Sequence, residues 1–137
     1  MEAQECFVLQ QINKYYNQKL KKMLHQYSRF DAYNKKYIVE IKCRGKDYNE
    51  TLIEFDKYTF NKEYAKITGK QFIYVVGLEN KIYIFNISKL NNNGYDYRWE
   101  WKRMPKQTEF EDTQEIYKLV GYINIEMANK IILKDNS

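Results

Sequence analysis

Apolar residues recur along this chain with two different periods. Between Val8 and Leu24 they return about every fourth position, which predicts one amphipathic helix over residues 4–24. Over residues 28–44 they alternate with polar residues instead, as they do along β-strands. The pattern therefore predicts a long helix followed by strands.

A hairpin is the expected arrangement of the alternating segment. Asn34 and Lys35 lie between two runs that favour strands, 29–33 and 36–44. Asn is a frequent residue in tight turns. The sequence therefore predicts a two-residue turn at Asn34-Lys35.

The rest of the chain predicts further helices and strands around the same sheet. These elements are a second helix that begins at the capping box Thr51-x-x-Glu54 and ends at Gly69, strands over 71–76, 81–87, 96–104 and 119–125, a loop at 91–94, and a short helix or strand over 126–133. The polar segment 106–116 predicts no defined element. The order of elements indicates an α/β (α+β) fold with one mixed sheet, and the length of 137 residues predicts a single domain over 1–137.

The positive charge of the chain is concentrated at one end. Residues 1–46 contain ten Lys and Arg but four Asp and Glu, a net charge of +6, whereas residues 47–137 have a net charge of −1. A basic region on a small protein favours a polyanionic partner, usually nucleic acid. No apolar run approaches the ~18 residues of a membrane span, and no leader pattern precedes the first helix. We therefore expect a cytoplasmic protein with no membrane partner.

Cysteine and histidine are too scarce for several kinds of site. Cys6 and Cys43 have no metal-ligand spacing, so we interpret both as reduced thiols. His25 is the only histidine, which excludes a zinc site that needs two or three. Its place at the end of the predicted first helix indicates an interaction with the helix C-terminus. A Cys–His pair stays open, although no motif supports it.

The segment from Asp31 to Lys42 contains the candidate chemistry. Side chains alternate along a strand, so Glu40 and Lys42 share one face of the apolar run YIVEIKCR. With a two-residue turn, Asp31 pairs with Ile38 and lies on that same face, diagonal to Glu40. A three-residue turn would place it on the opposite face, so the grouping depends on the turn.

Two carboxylates on one face can bind one hard cation. Mg²⁺, or Mn²⁺ in its place, prefers oxygen ligands and keeps several waters, so Asp31 and Glu40 could form the protein part of such a site. The ion lowers the pKa of a bound water and neutralises a phosphate oxygen. Lys42 could position that water, and charge on an otherwise apolar strand is costly unless it is used. These features indicate phosphodiester hydrolysis.

The pattern Asp31…Glu40-x-Lys42 resembles that of the PD-(D/E)XK nuclease superfamily. The core of that superfamily is a helix, a hairpin with these residues, a second helix and further strands. The resemblance covers about residues 4–90 and leaves 91–137 as a C-terminal extension. It implies a restriction-endonuclease-like fold in which Asp31 and Glu40 bind the metal and Lys42 is the catalytic lysine.

The resemblance also implies further ligands and a substrate-binding surface. Glu5 of the first helix and the Ile41 carbonyl would complete the metal site, although the place of Glu5 at the helix start also fits an acid that interacts with the helix dipole. Arg44 and Lys57 are similarly placed to basic residues that touch the scissile phosphate. The other basic residues expected to bind nucleic acid are Arg29, Lys35, Lys36 and Lys46. The chain departs from the family pattern at position 30, where Phe replaces Pro.

The leading hypothesis is a Mg²⁺- or Mn²⁺-dependent nuclease that cuts DNA in preference to RNA and selects its substrate by structure. A homodimer is one expected assembly, since cutting two strands requires two sites. The alternatives are a non-catalytic nucleic-acid-binding module and a protein-interaction module of phage origin on the same fold. The aromatic and basic run 98–103 could also stack on bases, although such a strand more often has one core face and one solvated face.

Overall fold

Two β-sheets and three α-helices are present in residues 1–25, 28–105 and 115–133, which the computed structural model describes. In chain order the elements are α1 (Ala3–Tyr16), β1 (Lys21–Lys22), β2 (Ala32–Tyr33), β3 (Tyr37–Cys43), β4 (Glu50–Glu54), α2 (Phe55–Thr68), β5 (Gln71–Gly77), β6 (Lys81–Asn86), α3 (Ile87–Asn92), β7 (Glu100–Pro105), β8 (Glu115–Asn124) and β9 (Asn129–Ile132). A short 3-10 helix over Ile125–Met127 connects β8 to β9. None of the helices in these residues is long and apolar enough to cross a lipid bilayer.

The larger sheet has six strands in the order β1-β2-β3-β5-β6-β9. β3 and β5 run parallel near its centre, and every other neighbouring pair is antiparallel. Both strands are nearly continuous apolar runs, which is the pattern of strands covered on both faces. The predicted α+β fold with a mixed sheet is therefore confirmed.

The alternation of β3 divides its side chains between two apolar clusters. Val39 belongs to the cluster on the α1 face, together with Val8. Ile38 belongs to the cluster on the other face, which is covered by α2 and the smaller sheet. The buried residues of this second cluster are Phe30, Ile38, Ile53, Ala65, Phe72, Tyr74, Val76, Tyr83, Phe85, Ile87, Tyr97 and Ile123. Glu40 and Lys42 are an even number of residues from Ile38 and therefore lie on the α2 face.

The smaller sheet has three antiparallel strands in the order β4-β8-β7, and the sequence pattern does not predict it. Residues 51–54, interpreted above as a capping box, form most of β4, and Ile53 pairs with Gly121 of β8. α2 begins only at Phe55. The capping-box prediction was wrong because pairing with a strand far along the chain outweighs a local helix-start signal.

α1 is shorter than the predicted helix over 4–24. It ends at Tyr16, and Asn17 takes a left-handed conformation with a φ of 53°. The Asn13 side chain then accepts a hydrogen bond from the Leu20 N–H at 2.7 Å and donates one to the Leu20 carbonyl at 3.0 Å. Leu20 is consequently buried against the fold without being helical, which explains why its spacing resembles a continued helix.

The predicted hairpin is present, with its tip displaced by one residue. β2 pairs with β3 through Tyr33 and Ile38, so Lys35 and Lys36 form the tip instead of Asn34 and Lys35. The Asn34 side-chain oxygen accepts the Lys36 N–H at 2.8 Å, which stabilises a turn at this place. The pairing shifts by two residues, an even number, so each side chain keeps its predicted face.

The prediction of the strands after α2 is confirmed, and Gly69 ends α2 as predicted. Its φ of 68° is in the left-handed region that favours glycine. β5 and β6 occupy the predicted segments. His25 lies beyond β1 and not at the end of a helix, so its predicted position was wrong.

The C-terminal third differs more from the prediction. α3 extends to Asn92, into the segment predicted as a loop. The strand predicted over 96–104 begins only at Glu100, because Arg98 takes a left-handed conformation with a φ of 49°. β8 is longer than predicted, and the segment 126–133 contains the end of the 3-10 helix and β9. Residues 106–114 of the polar segment lie outside the described residues.

Gly121 provides a test of the packing of the smaller sheet. A Cβ at this position would lie 2.9 Å from the Tyr97 Cβ and from the Trp99 ring, closer than side chains normally pack. We expect Gly121→Ala to lower the free energy of unfolding by about 1–3 kcal/mol. Gly45→Ala is the matched control, because no atom lies within 4 Å of its Cβ position. The control should change stability by less than about 0.5 kcal/mol. Equal urea midpoints for Gly121→Ala and the wild type would contradict this packing.

Candidate functional site

β3 carries two charged side chains into a largely buried part of the fold. Glu40 is 3% exposed and Lys42 is half-buried, both on the α2 face. Their partners on the parallel strand β5, Tyr74 and Val76, belong to the apolar cluster on that face. A charge in such surroundings is costly unless another group compensates it.

Asp31 is held beside Glu40 by the backbone of the hairpin. Its N–H donates to the Val39 carbonyl at 2.8 Å, and its Oδ2 accepts the Ile41 N–H at 2.7 Å. The pairing of β2 with β3 ends at Ala32, which lies opposite Val39, and Ile38 pairs with Tyr33. The predicted pairing of Asp31 with Ile38 was therefore wrong, because the turn lies one residue later than expected. The two carboxylates share one face of the hairpin.

One cavity brings these side chains together, and we call it the acidic cavity. Its volume is about 360 Å³, and its wall is formed by Met1, Glu2, Glu5, Ser28, Asp31, Glu40, Ile41, Lys42 and Lys57. Glu5 reaches this wall from the first turn of α1. The structure thus places every residue predicted to be catalytic or metal-binding in the same cavity.

Lys57 of α2 supplies the positive charge nearest to Glu40. Its Nζ lies 3.0 Å from Glu40 Oε1, and the side chains are 32% and 4% exposed, respectively. Breaking a buried ion pair commonly costs about 3–5 kcal/mol, because one charge is left uncompensated. The pair therefore ties the first turn of α2 to the centre of the larger sheet.

Burial raises the pKa values of Glu5, Asp31 and Glu40, three of the carboxyl groups in the wall of the acidic cavity. Burial and the neighbouring Asp31 charge raise the pKa of Glu40 to about 7, although Lys57 opposes the rise. Burial raises the pKa of Asp31 against the hydrogen bond from the Ile41 N–H. Burial and the Asp31 charge also raise the pKa of Glu5. Several shifted groups in one cleft are typical of functional sites.

Lys42 has charges of both signs around it. Burial and the Lys57 charge lower the pKa of Lys42, while Glu40 and Glu54 oppose the change. Glu54 forms an ion pair of 2.7 Å with Lys118 of β8, and its carboxylate is 14% exposed. Sequence reasoning missed both residues of this pair. Glu54 was interpreted as part of a capping box at a helix start. Lys118 carries no local sequence signal, because its position near Glu54 results from the pairing of β4 with β8.

The basic residues predicted to bind nucleic acid lie in several places. Lys57 lies in the acidic cavity, where it contacts Glu40. Arg44 and Lys46 line a second cavity of about 650 Å³, where β3 ends. These three residues lie near Glu40 and Lys42, two of the residues predicted to be catalytic.

The other predicted nucleic-acid contacts lie outside both cavities. The Arg29 guanidinium lies over the Phe60 ring, 5.2 Å from its centre. Lys35 and Lys36 are at the hairpin tip and precede β3, whereas Lys42 is near the end of that strand. The structure therefore does not bring all six basic residues into one patch around the acidic cavity.

The remaining candidates from the sequence also lie outside the acidic cavity. Trp99 packs against Tyr58 with ring centres 4.9 Å apart, whereas Trp101 is 69% exposed. The run 98–103 thus has one ring in the core and one in solvent. Cys6 and Cys43 are free thiols.

The oxygen donors of the acidic cavity fit a hard divalent cation. Glu5, Asp31 and Glu40 offer carboxylates, and Ile41 lies in the same wall. Carboxylate and carbonyl oxygens are the ligand types that Mg²⁺ and Mn²⁺ prefer. In the part of the chain that the structure describes, no three Asp, Glu, His or Cys side chains are grouped closely enough to hold an ion by themselves. Mg²⁺ commonly binds through one or two carboxylates with waters and substrate phosphate, which suits this donor set.

The raised pKa of Glu40 makes the stability of the fold depend on pH. The folded protein binds this proton more tightly than the unfolded chain, where the pKa is near 4.5, so ionisation of Glu40 destabilises the fold between pH 4.5 and about 7. Glu40→Gln removes this titration. In EDTA, the free energy of unfolding of Glu40→Gln minus that of the wild type should therefore rise as the pH increases from 4.5 to about 7.

Urea midpoints at several pH values measure this difference. Glu63→Gln is the control, because its side chain is 57% exposed. Its stability relative to the wild type should change little over the same range. A relative stability of Glu40→Gln that does not change with pH would contradict the raised pKa.

Comparison of the chain with protein-family models and with curated proteins finds no match.

Proposed function

We propose that this protein is a divalent-metal-dependent nuclease of the PD-(D/E)XK type, with Mg²⁺ or Mn²⁺ as its cofactor. The observation that carries the proposal is the meeting of Asp31, Glu40 and Lys42 in one cavity. Two acids and a lysine in this arrangement can hold a hard cation and a water beside a phosphate.

The acidic residues have the role of metal ligands in this proposal. Asp31 and Glu40 would hold the ion, with Glu5 and the Ile41 carbonyl as further ligands. When bound, the ion supplies positive charge for the phosphate and lowers the pKa of a coordinated water. The hydrogen bond from the Ile41 N–H orients the Asp31 carboxylate before any ligand arrives.

Lys42 is the proposed group that positions the water and accepts its proton. Burial and the Lys57 charge lower the pKa of Lys42, so a larger fraction of its Nζ is neutral and able to accept a proton. The water oxygen forms a bond to phosphorus as the bond to the leaving sugar oxygen breaks. The water proton passes to Lys42 Nζ, and the leaving oxygen takes a proton from solvent. The products are a phosphate monoester end and a free hydroxyl.

The proposed substrate is DNA rather than RNA, selected by its structure. A chain of 137 residues, with the acidic cavity formed by α1, the hairpin and α2, has little surface for reading a base sequence. The proposal includes a homodimer for cutting both strands and the cytoplasm as the location. Branched, single-stranded and duplex DNA are the substrates to compare.

A non-catalytic nucleic-acid-binding module on the same fold is the second candidate. The observation that favours it is the ion pair between Lys57 and Glu40, which compensates the carboxylate without a metal. Such a module would bind nucleic acid with a strong salt dependence and no need for a divalent ion. Cleavage with and without Mg²⁺ separates the two candidates.

Isothermal titration of Mn²⁺ tests the proposed ligands. Asp31→Asn/Glu40→Gln should abolish the binding measured for the wild type, because both carboxylates are removed. Glu63→Gln/Glu79→Gln removes the same charge at exposed positions and should bind as the wild type does. Binding retained by Asp31→Asn/Glu40→Gln would place the metal elsewhere. A wild type that binds no Mn²⁺, with or without an oligonucleotide, would exclude the metal site.

Lys42→Met tests the proposed catalytic lysine. We expect cleavage of labelled DNA in Mg²⁺ to fall at least about 100-fold, the usual contribution of a positioned acid or base. Lys62→Met, on the more exposed surface of α2, should cleave at the wild-type rate. Mn²⁺ binding and the urea midpoint of Lys42→Met should stay near wild-type values. Undiminished cleavage by Lys42→Met would exclude this role, and a wild type that cleaves none of the substrates would favour the binding module.

A further inference from the structure

A second cavity lies next to the acidic cavity, where β3 ends. Its volume is about 650 Å³, within the usual range of ligand pockets. Its wall is formed by the ends of β5 and β6 on one side and by residues of β4, β7 and β8 on the other. We call it the basic cavity, after Arg44, Lys46 and Lys102 in its wall.

The wall of the basic cavity has uncompensated positive charge. Its two carboxylates are already paired, Asp47 with Lys81 at 2.8 Å and Glu50 with Arg98. Neither of these paired cations belongs to the wall. Among the described residues, the three cations after which the cavity is named form no ion pair with a carboxylate. The cavity is therefore suited to a ligand with several negative charges.

The same wall contains aromatic rings on which a base could stack. Tyr48 is 64% exposed, and Tyr122 lies deeper, with the Arg98 guanidinium 5.3 Å from its ring centre. Stacking on a side chain requires a base whose face is free, which a single strand provides and a duplex does not. Phosphate-binding charge and an exposed ring in one cavity favour single-stranded nucleic acid over a duplex.

β3 connects the two cavities. Lys42 and Arg44 are two residues apart along extended backbone, about 7 Å. The Arg44 N–H donates to the Gly77 carbonyl at 2.9 Å, which continues the pairing of β3 with β5 to this point. A nucleic-acid strand with one phosphate at Lys42 would therefore bring a neighbouring phosphate to Arg44.

We propose that the basic cavity binds the single-stranded segment next to the phosphodiester in the acidic cavity, with phosphates on Arg44, Lys46 and Lys102 and a base on Tyr48. That the bound segment lies next to a cleaved phosphodiester rests on the proposed nuclease function. The binding of a single strand in the basic cavity does not depend on that function. The substrate class is then DNA with an unpaired segment, such as an overhang, a flap or a branch.

Fluorescence anisotropy with a labelled oligothymidylate tests the charges of the basic cavity. In EDTA, Arg44→Gln/Lys46→Gln/Lys102→Gln should reduce the slope of log K against log salt concentration by about 2 in magnitude, because each phosphate contact on a single strand contributes about 0.7. Full-length protein is used throughout. A slope equal to that of the wild type would exclude these contacts.

A matched variant controls for the overall loss of charge. Lys62→Gln/Lys66→Gln/Lys89→Gln removes three positive charges from α2 and α3, outside the basic cavity. It should keep the wild-type slope. A decrease as large as that of the first variant would show that binding depends on net charge and would overturn the proposal.

Tyr48→Ala separates stacking from charge. It should weaken oligothymidylate binding at least about fivefold, the lower end of a base-stacking contribution, without changing the salt slope. Tyr48→Phe keeps the ring and should bind as the wild type does. A duplex of the same length should bind the wild type more weakly than the single strand. Equal affinity for the two forms, or no binding of the single strand at low salt, would overturn the proposal.

These measurements stay interpretable if the proposed nuclease function fails, because they need neither a divalent ion nor cleavage. A wild type that cleaves nothing but binds oligothymidylate through these residues would be a single-strand-binding module, and the basic cavity would stand. Suppose that Arg44→Gln/Lys46→Gln/Lys102→Gln keeps both the cleavage rate and the oligothymidylate affinity of the wild type. The nuclease proposal would then stand, and the basic cavity would be excluded as the binding site.

Discussion

The burial of Glu40 is the constraint on which the rest of the structure depends. A carboxylate that is 3% exposed within a sheet requires a nearby cation or a proton, and Lys57 is that cation at 3.0 Å. Because Lys57 is in the first turn of α2, the pair fixes where the helix begins relative to β3. One turn later, the buried Asn61 side chain donates to the Arg29 carbonyl at 3.1 Å. α2 is thus attached to β3 and to the segment that precedes β2, next to Asp31.

The two sheets meet at the same place because the start of α2 is also the end of β4. Glu54, the residue before α2, pairs with Lys118 of β8, and this contact joins two strands of the smaller sheet. Lys57 and Glu40 of one ion pair and Glu54 of the other act on Lys42 and alter its pKa. The electrostatics of the acidic cavity therefore depend on residues from both sheets, although its predicted catalytic residues all lie in the hairpin.

The sequence alone predicts the part of the site that depends on local alternation. Glu40 and Lys42 share a face because the period of a strand is two, and the apolar run around them predicts their burial. The face of Asp31 depends on the turn, but a shift of the strand pairing by an even number of residues leaves that face unchanged. The pairing is shifted by two residues, so Asp31 keeps its predicted face.

The rest of the site depends on contacts that no local pattern encodes. Lys118 and Lys102 reach their positions through the pairing of β4, β7 and β8, which joins segments far apart in the chain. The capping-box spacing at Thr51 is compatible with a helix start, and tertiary pairing converted that segment into a strand. The resemblance to a nuclease family implied that Lys57 contacts phosphate, whereas its contact with Glu40 could be found only from the position of α2.

The pair between Glu40 and Lys57 also determines what the proposed chemistry requires. Lys57 Nζ contacts Glu40 Oε1, so a cation that used this oxygen as a ligand would have to displace Lys57. Its side chain is 32% exposed and can move without opening the core, whereas Glu40 is fixed in the sheet. The released ammonium would remain in the acidic cavity, where a substrate phosphate could replace the Glu40 carboxylate as its partner. Metal and phosphate would then each take one partner of the pair and leave no buried charge uncompensated, so each should favour the binding of the other.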